Sequence, residues 1–584
     1  MKKNTNQLYI LISFLLIAGM TSSCKKILEQ EPRNSTYAEV YWQSVRDCES
    51  AIAGNYSLLR AAFAKAGAYT DQAMSYYMYG DAATTATSYF AIRYTGDGLD
   101  GIQGGDFTFQ YNVQSLGDWT ALYKAVTMSN VILKNVPQIK DELLAKNTDD
   151  VAAYKNKIMG QALFIRALAY FELTKVWGDV PLVTEAYDDP INAPQLPRSD
   201  KALVMKQIED DCHQAMGMLK WGYEDINERA VTANRGSVYA LLAHLYLWRA
   251  TTTNLSTSEP VMEDVNSADT TLQALINLGG YTLQDTAKYG QQFIGRSVES
   301  IFEINMSENT QEGSSSNIGL GFLTEKYVKG YGTNPVFSVP DSYGSVHYSY
   351  PREGDGYDYV WDGNEYVWMK VHAKGMQYFI TNSSGELEEV DVSYLYYGYD
   401  GYLFLYDNED TDNNEFALVG GISIDANEVR YRNNFDGTVC TKYSNIIYRN
   451  PGTQTDGYLS NNMIIFRLSD MKLLQAEVAL YKNNLPAAAD VINFFRDRYN
   501  SHSARVTGTD TKESLMYEYI LERGKEMYLE GQLYFDLIRT REFNEFIPWM
   551  KSRFAAGGFF WPVNPALFKD NKFLTQTAYW RGKI

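Results

Sequence analysis

The chain has 584 residues, enough for one large core or several domains. Hydrophobic residues make up 45% and charged residues 21%, a globular composition that excludes a disordered chain. A net charge of −19 excludes a broad basic face for nucleic acid and argues against wide contact with anionic lipid.

Residues 1–23 read as a secretory signal. Lys2 and Lys3 form its positive start, and Leu8 to Met20 form its apolar core. That run is too short to span a bilayer. Thr21, Ser22 and Ser23 lead into Cys24, which predicts a bacterial lipoprotein acylated at Cys24. Thr21 departs from the usual lipobox, which has Leu there. The alternative is an ordinary cleaved signal followed by a chance cysteine. Loss of residues 1–23 removes two lysines and no acid, taking the net charge to −21. The acyl chains alone would then anchor the protein. Residues 24–36 are polar, hold Pro32 and read as a lipidated tether.

A helical region is predicted over 37–296, beginning with a segment at 37–66. Residues 70–118 read as binding loops. Within them GLDGIQGGDF (98–107) lacks the strand and lysine of a phosphate loop. Further helices are predicted at 119–136, stopped by Pro137, and at 151–177, ended by Gly178 and Pro181. Two more follow at 200–219 and 235–250. Ala167 and Phe171 make an A-x3-F pair of tetratricopeptide type, which predicts helix pairs although the full repeat consensus is absent.

Residues 297–460 change character. Residues 297–306 alternate like a strand, and 307–356 are loop-like, rich in Gly, Ser and Asn. Three hairpin signals follow. Asp362-Gly363-Asn364 separates YDYVW from EYVWMKV, Asp400-Gly401 separates YLYYGY from YLFLY, and Asp436-Gly437 separates VRYRNNF from TVCTKY. They predict a β-rich lobe over about 357–443. DNEDTDNNE (407–415) offers oxygen ligands for a structural Ca2+ but lacks the turn glycine of an EF-hand, and a solvated acidic turn is preferred.

Residues 461–584 return to helix at 467–483, 486–499 and 512–541, the last with a capping box at Asp510 and Glu513. The two helical blocks are expected to pack into one α-domain. The predicted fold is mostly α, a tetratricopeptide-like helix-pair scaffold carrying a loop-rich, partly β ligand-binding lobe.

Chemistry-bearing residues are sparse. Cys48, Cys212 and Cys440 are widely spaced, with no CxxC, and read as three buried thiols or one disulfide of unassigned pairing. His213, His244, His347, His372 and His502 form no HExxH, and His244 reads as a core residue. Glu522, Glu526 and Glu530 stand at i, i+4, i+8, where two carboxylates could serve a glycosidase. Arg523, Lys525, Arg539 and Arg467 make a buried ion-pair network the preferred reading. No catalytic, cofactor-binding or metal residue is therefore assigned.

Aromatic residues stand out instead. Residues 343–406 hold 17 aromatics in 64 positions, and a second group is Tyr76, Tyr77, Tyr79, Tyr89, Phe90 and Tyr94, beside Asp81 and Arg93. Sugar rings offer C–H faces to aromatic planes and hydroxyl rims to polar side chains.

Five segments resemble one family, the SusD/RagB surface lipoproteins of Bacteroidetes. The start matches through Cys24, Glu31-Pro32, Tyr41-Trp42 and Ala51 to Leu59. GQALFIRALAYFELTKVWGDVPLV (160–183), FRLSDMKLLQAEVAL (466–480), LERGKEMYLEGQLYFDLIRT (521–540) and WPVNPALFKDNKFLTQTAYW (561–580) follow in the family's order. The stretch 300–460 matches poorly. The resemblance implies four tetratricopeptide-like pairs under an irregular ligand-binding face. It implies a non-catalytic lipoprotein that sits as a lid on a SusC-like TonB-dependent outer-membrane transporter. Such a protein captures oligo- or polysaccharide at the cell surface and delivers it inward. Residues 70–118 occupy the place of a loop that helps form the family's glycan arc. The expected contacts are Tyr76, Tyr79, Tyr89, Arg93 and Tyr94, with Trp361 and Trp368 next. An oligopeptide ligand is the alternative, since some relatives serve peptide import, followed by a surface glycoside hydrolase and a purely structural scaffold. Surface display is inferred from the family. Lys25 and Lys26 are less acidic than the usual export signal, which leaves periplasmic retention open.

Overall fold

Caps set the first helices. In the computed structural model α1 (Val45–Phe63) starts at Ser44, whose hydroxyl accepts from the Asp47 amide. After it come α2 (Ser75–Asp81), the short β1 (Arg93–Tyr94), α3 (Leu99–Gln103) and α4 (Thr120–Asn135). Helix α5 (Val151–Trp177) has the predicted bounds. The Asp150 carboxylate accepts from the Ala153 amide at its start, and Gly178 stops it at φ +75°. Asp200 caps α6 (Lys201–Met218), and Asn234 with Ser237 forms the capping box of α7 (Arg235–Thr252). Helix α8 (Met262–Leu278) was not predicted. The described residues are 41–64, 75–81, 93–94, 99–107, 116–187, 193–306, 318–330, 332–333, 335, 337–338, 354–361, 366–374, 377–381, 385–390, 428–436, 439–501, 503 and 505–584.

Strand β2 (Ser300–Ile304) is buried on both faces, so its alternation marks no solvent side. Strand β3 (Phe337–Ser338) follows. A four-stranded antiparallel sheet runs in the order β4 (Gly354–Trp361), β5 (Tyr366–Lys374), β6 (Gln377–Thr381), β7 (Leu387–Val390). The 362–364 hairpin is therefore present as the β4–β5 pair. The Asp400-Gly401 hairpin and the acidic run 407–415 lie outside the described residues. VRYRNNF does not form a strand. Its residues 429–434 are the helix α9 (Val429–Asn434), with the Glu428 carboxylate accepting from the Tyr431 amide. Ion pairing of Arg430 inside the core overrides the β-like alternation. Only the end of that run pairs, as β8 (Phe435–Asp436) against β9 (Val439–Cys440). Hairpin β10 (Ile446–Asn450) and β11 (Thr455–Leu459) precedes β12 (Met463–Arg467), which pairs antiparallel with β2.

The closing helices are α10 (Leu468–Tyr481), α11 (Leu485–Arg498), α12 (Lys512–Glu526) and α13 (Leu533–Thr540). The predicted single helix over 512–541 is thus two. It breaks at 527–532, where Leu529 and Gly531 take positive φ. The cap of α12 is Thr511, which accepts from Ser514; the Asp510 carboxylate instead accepts from the Thr507 amide. Helices pack pairwise as α1 with α4, α5 with α6, α7 with α8, and α10 with α11. Helix α8 also lies on α10, and one apolar core draws residues from both helical blocks. Helix α5 is buried all round over its last two thirds. Gly160 lets the Leu219 side chain approach, since a Cβ there would lie 2.8 Å from it. Cys48, Cys212 and Cys440 are free and buried. Among the described residues no helix is long and apolar enough to cross a membrane.

Candidate functional site

The three acids of the α12 stripe meet cations, not solvent. Glu522 contacts Arg430 Nη1 at 2.7 Å and Arg496 Nε at 3.3 Å. Glu526 contacts Arg467 Nη1 at 2.7 Å and accepts from the Tyr499 hydroxyl. Glu530 lies past the helix end yet pairs with Arg467 Nε at 2.8 Å and Lys442 Nζ at 2.6 Å. Glu299 joins through Arg467. All are buried. Burial pushes the Glu522 carboxyl up, but Arg430, Lys525 and Arg496 outweigh it and hold it at about 2. Acids engaged in this way by buried cations suit neither a proton donor nor a nucleophile. His244 donates or accepts at Asp470 Oδ2, 2.8 Å away and buried, as expected of a core residue. Among the described residues no group of three or more His, Cys, Asp or Glu could hold a metal ion.

The same network reaches the predicted loop region. At the 527–532 break, Lys442 Nζ donates to Tyr528 O (2.6 Å) and the Tyr443 hydroxyl donates to Leu529 O (2.7 Å). The Asp81 carboxylate at the end of α2 accepts from the Gly531 amide at 2.8 Å, and Gln532 Nε2 donates to the Tyr76 hydroxyl at 3.0 Å. The two backbones touch: a Cβ on Gly80 would lie 1.9 Å from Gly531 O. Gly531, at φ +74°, would drive a Cβ to 2.4 Å from the Tyr76 ring. One stem of the loop region is therefore built into the core.

The other stem is held by the C-terminal segment. Trp549 Nε1 donates to Gln103 O at 2.8 Å, and Arg553 Nη1 donates to Gly105 O at 2.5 Å. Gly105 sits at φ +80°, and a Cβ there would meet the Trp549 ring at 2.7 Å. The Phe107 ring lies edge-on to Trp561 at 5.0 Å. Between the stems, β1 pairs with β3, setting Arg93 opposite Ser338 and Tyr94 opposite Phe337. The early loops and the variable segment thus share a ladder. Phe337 is buried against Phe322, and Gly321 leaves it room, since a Cβ would lie 2.0 Å from its ring.

The β4–β5 register sorts the aromatic residues. Tyr357 stands opposite Lys370, Tyr359 opposite Trp368, and Trp361 opposite Tyr366. Directly opposed residues share a face, and residues two apart share it too. Ladder positions 357, 359, 361, 366 and 368 are thus all aromatic.

Comparison with known proteins extends this geometry. A family model described as "Starch-binding associating with outer membrane" matches residues 26–247, and one described as "SusD family" matches residues 298–580. The chain belongs to the SusD family. A SusD-like protein P38 of Formosa agariphila is 23% identical over 556 residues, covering 93% of each chain. A SusD homolog crystal structure from Bacteroides thetaiotaomicron has a TM-score of 0.64 at 19% identity, covering 92% of this chain and all of that one. The structure of B. fragilis NanU has a TM-score of 0.60 at 17% identity over 94% of this chain and 99% of that one.

For this SusD-family chain the expected contacts divide. Tyr76 and Tyr79, 2% and 5% exposed, are core residues and offer no face to a sugar. Tyr76 stacks on Phe63 at 5.1 Å, and the Tyr79 hydroxyl donates to Leu116 O at 2.8 Å with its ring edge-on to Trp177 and Trp561. They position the loop stem instead. Arg93 and Tyr94 stand on β1, Trp361 on β4 opposite Tyr366, and Trp368 on β5 opposite Tyr359. Tyr89 and Cys24 lie outside the described residues. Sequence reasoning missed Asp81 and Gly531 as a joined pair, 450 residues apart. The glycine after Glu530 was the available signal.

Proposed function

We propose that this SusD-family protein is a non-catalytic glycan-binding lipoprotein of the outer membrane. Acylated at Cys24, it captures oligo- or polysaccharide at the cell surface and delivers it to a SusC-like TonB-dependent transporter. The observation that carries the reading is the register of the β4–β5 pair, which sets Tyr359 opposite Trp368 and Trp361 opposite Tyr366. Aromatic residues suit the C–H faces of sugars. Arg93 and Tyr94 on the β1–β3 ladder are the proposed polar and aromatic partners. Family membership supports the same reading through the description of its N-terminal model. Engagement of Glu522, Glu526 and Glu530 by Arg430, Arg467 and Lys442 supports binding without hydrolysis.

The test is Trp361→Ala with Trp368→Ala, read by native affinity gels containing plant, host and microbial polysaccharides. Retardation in the gel is expected to fall at least tenfold in affinity, with an unchanged melting temperature. Unchanged retardation would remove the β4–β5 face from the site. Retention of peptides in place of every glycan would favour oligopeptide capture.

A further inference from the structure

A cleft of about 1000 Å3 lies away from the stems and sheets described above. It is bounded by the start of α1, the first third of α5, and the connection 217–235 from α6 into α7. Its walls are fixed. Lys157 on α5 donates to Glu224 and to Glu228, each at 2.9 Å. The Tyr56 hydroxyl on α1 accepts from the Ala233 amide at 2.9 Å and donates to Gln161 at 3.0 Å. Arg235 Nε donates to Leu219 O at 2.9 Å. A site held open in this way loses little ordering entropy when it is filled.

Two aromatic residues of the connection line it. Trp221 is half-buried with its ring 5.0 Å from Tyr239, and Tyr223 is 38% exposed with the Arg229 guanidinium 5.4 Å from its ring. The floor is apolar, made by Ile52, Ile158 and Leu219. The rim carries Asn147, Thr148 and Asn156. Gly217 and Gly222 keep the space clear, since a Cβ on either would meet nothing within 4 Å. Aromatic surface held in water inside a polar-rimmed cavity is the pattern of a ligand site.

Charge selects the ligand class. Lys157 and Lys220 are both engaged by glutamates of the connection, and Arg235 by backbone. Glu49 and Asp150 line the cleft as further acids. The lining holds four acids, Glu49, Asp150, Glu224 and Glu228, against three cations, Lys157, Lys220 and Arg235, an acidic excess that disfavours an anionic ligand. An uncharged polyhydroxylated ligand meets rings for its C–H faces, with amides and carboxylates for its hydroxyls.

We infer that this cleft is a second glycan site, one that takes a neutral oligosaccharide segment. The inference rests on the reading of the chain as glycan-binding. It adds that one protein grips a polymer at two separate places, where the second contact gains from effective concentration.

The experiment is titration calorimetry of the purified protein with maltohexaose, cellohexaose, xylohexaose, mannohexaose and laminarihexaose, and with their parent polysaccharides. A parallel series uses uronate-bearing polysaccharides. Two variants are compared with the wild type, Trp221→Ala with Tyr223→Ala, and Gly217→Gln. Gly217 lines the cleft in α6 beside open space, so glutamine there adds bulk at its wall while raising helix propensity. It decides the question even where the aromatic variant fails to fold. The expected result is that both variants lose at least tenfold in affinity for a neutral glycan, or lose one of two binding events. If the wild type binds a neutral glycan and Gly217→Gln keeps its affinity and stoichiometry, the cleft is no site, while the glycan reading stands. Binding of uronate polymers alone also overturns the inference and leaves that reading intact. Binding of no glycan in either series overturns both.

Discussion

Asp81 joins the loop stem to the charge network by accepting from the Gly531 amide. Burial pushes its carboxyl up to about 7 from 3.8, against the pull of that amide and of Lys442. Between those two values the folded chain keeps a proton that the unfolded chain releases. The stability contribution of this group therefore falls as pH rises through the window. In urea titrations across pH 4 to 7, wild type is expected to lose stability relative to Asp81→Asn as pH rises; parallel curves would contradict the assignment. Arg467 is the opposite case, a buried cation shared by Glu299, Glu526 and Glu530. Arg467→Met removes the cation that three buried carboxylates share and should cost about 3–5 kcal/mol by chemical denaturation. A loss below about 1 kcal/mol would mean the network contributes little. Single residues were the least legible part of the sequence. A tyrosine that donates to a main-chain carbonyl in the core, as Tyr79 does, looks the same in composition as one that stacks on sugar.

Elements were legible where local chemistry decides them. The span of α5 follows from the Asp150 cap and Gly178, both written in the sequence. The break between α12 and α13 was not, because Met527, Tyr528 and Leu529 continue the apolar stripe through it. Contacts from Lys442, Tyr443 and Asp81, all distant in sequence, hold that turn. Helix α9 was misread for the same reason: Arg430 is stabilised inside the core by Glu428 and Glu522. The close approach of α2 to the turn before α13 gives a paired test. Gly80→Ala should destabilise by about 1–3 kcal/mol through overpacking against Gly531, and should also weaken glycan binding. Gly54→Ala, exposed in α1 with open space beside it, should stabilise by about 0.5–1 kcal/mol. Equal effects in thermal melts would show that the α2 contact is not tight.

At the scale of the whole molecule, motif order revealed the helical scaffold, because packing of helix pairs leaves its pattern in each segment. The loop site did not show itself so fully. Its stems draw on α2, the 527–532 turn and the C-terminal tail, and its ladder joins β1 to β3. Only folding brings those parts together. The proposed capture role draws on a scaffold closed by one core, acids held in ion pairs, and aromatic residues opposed across the β4–β5 ladder. The most direct measurement runs the purified protein in native gels cast with individual polysaccharides and then assays each bound mixture for new reducing ends. Retardation by at least one polysaccharide with no released ends is the predicted result. Released ends, or passage through every gel unretarded, would contradict the account.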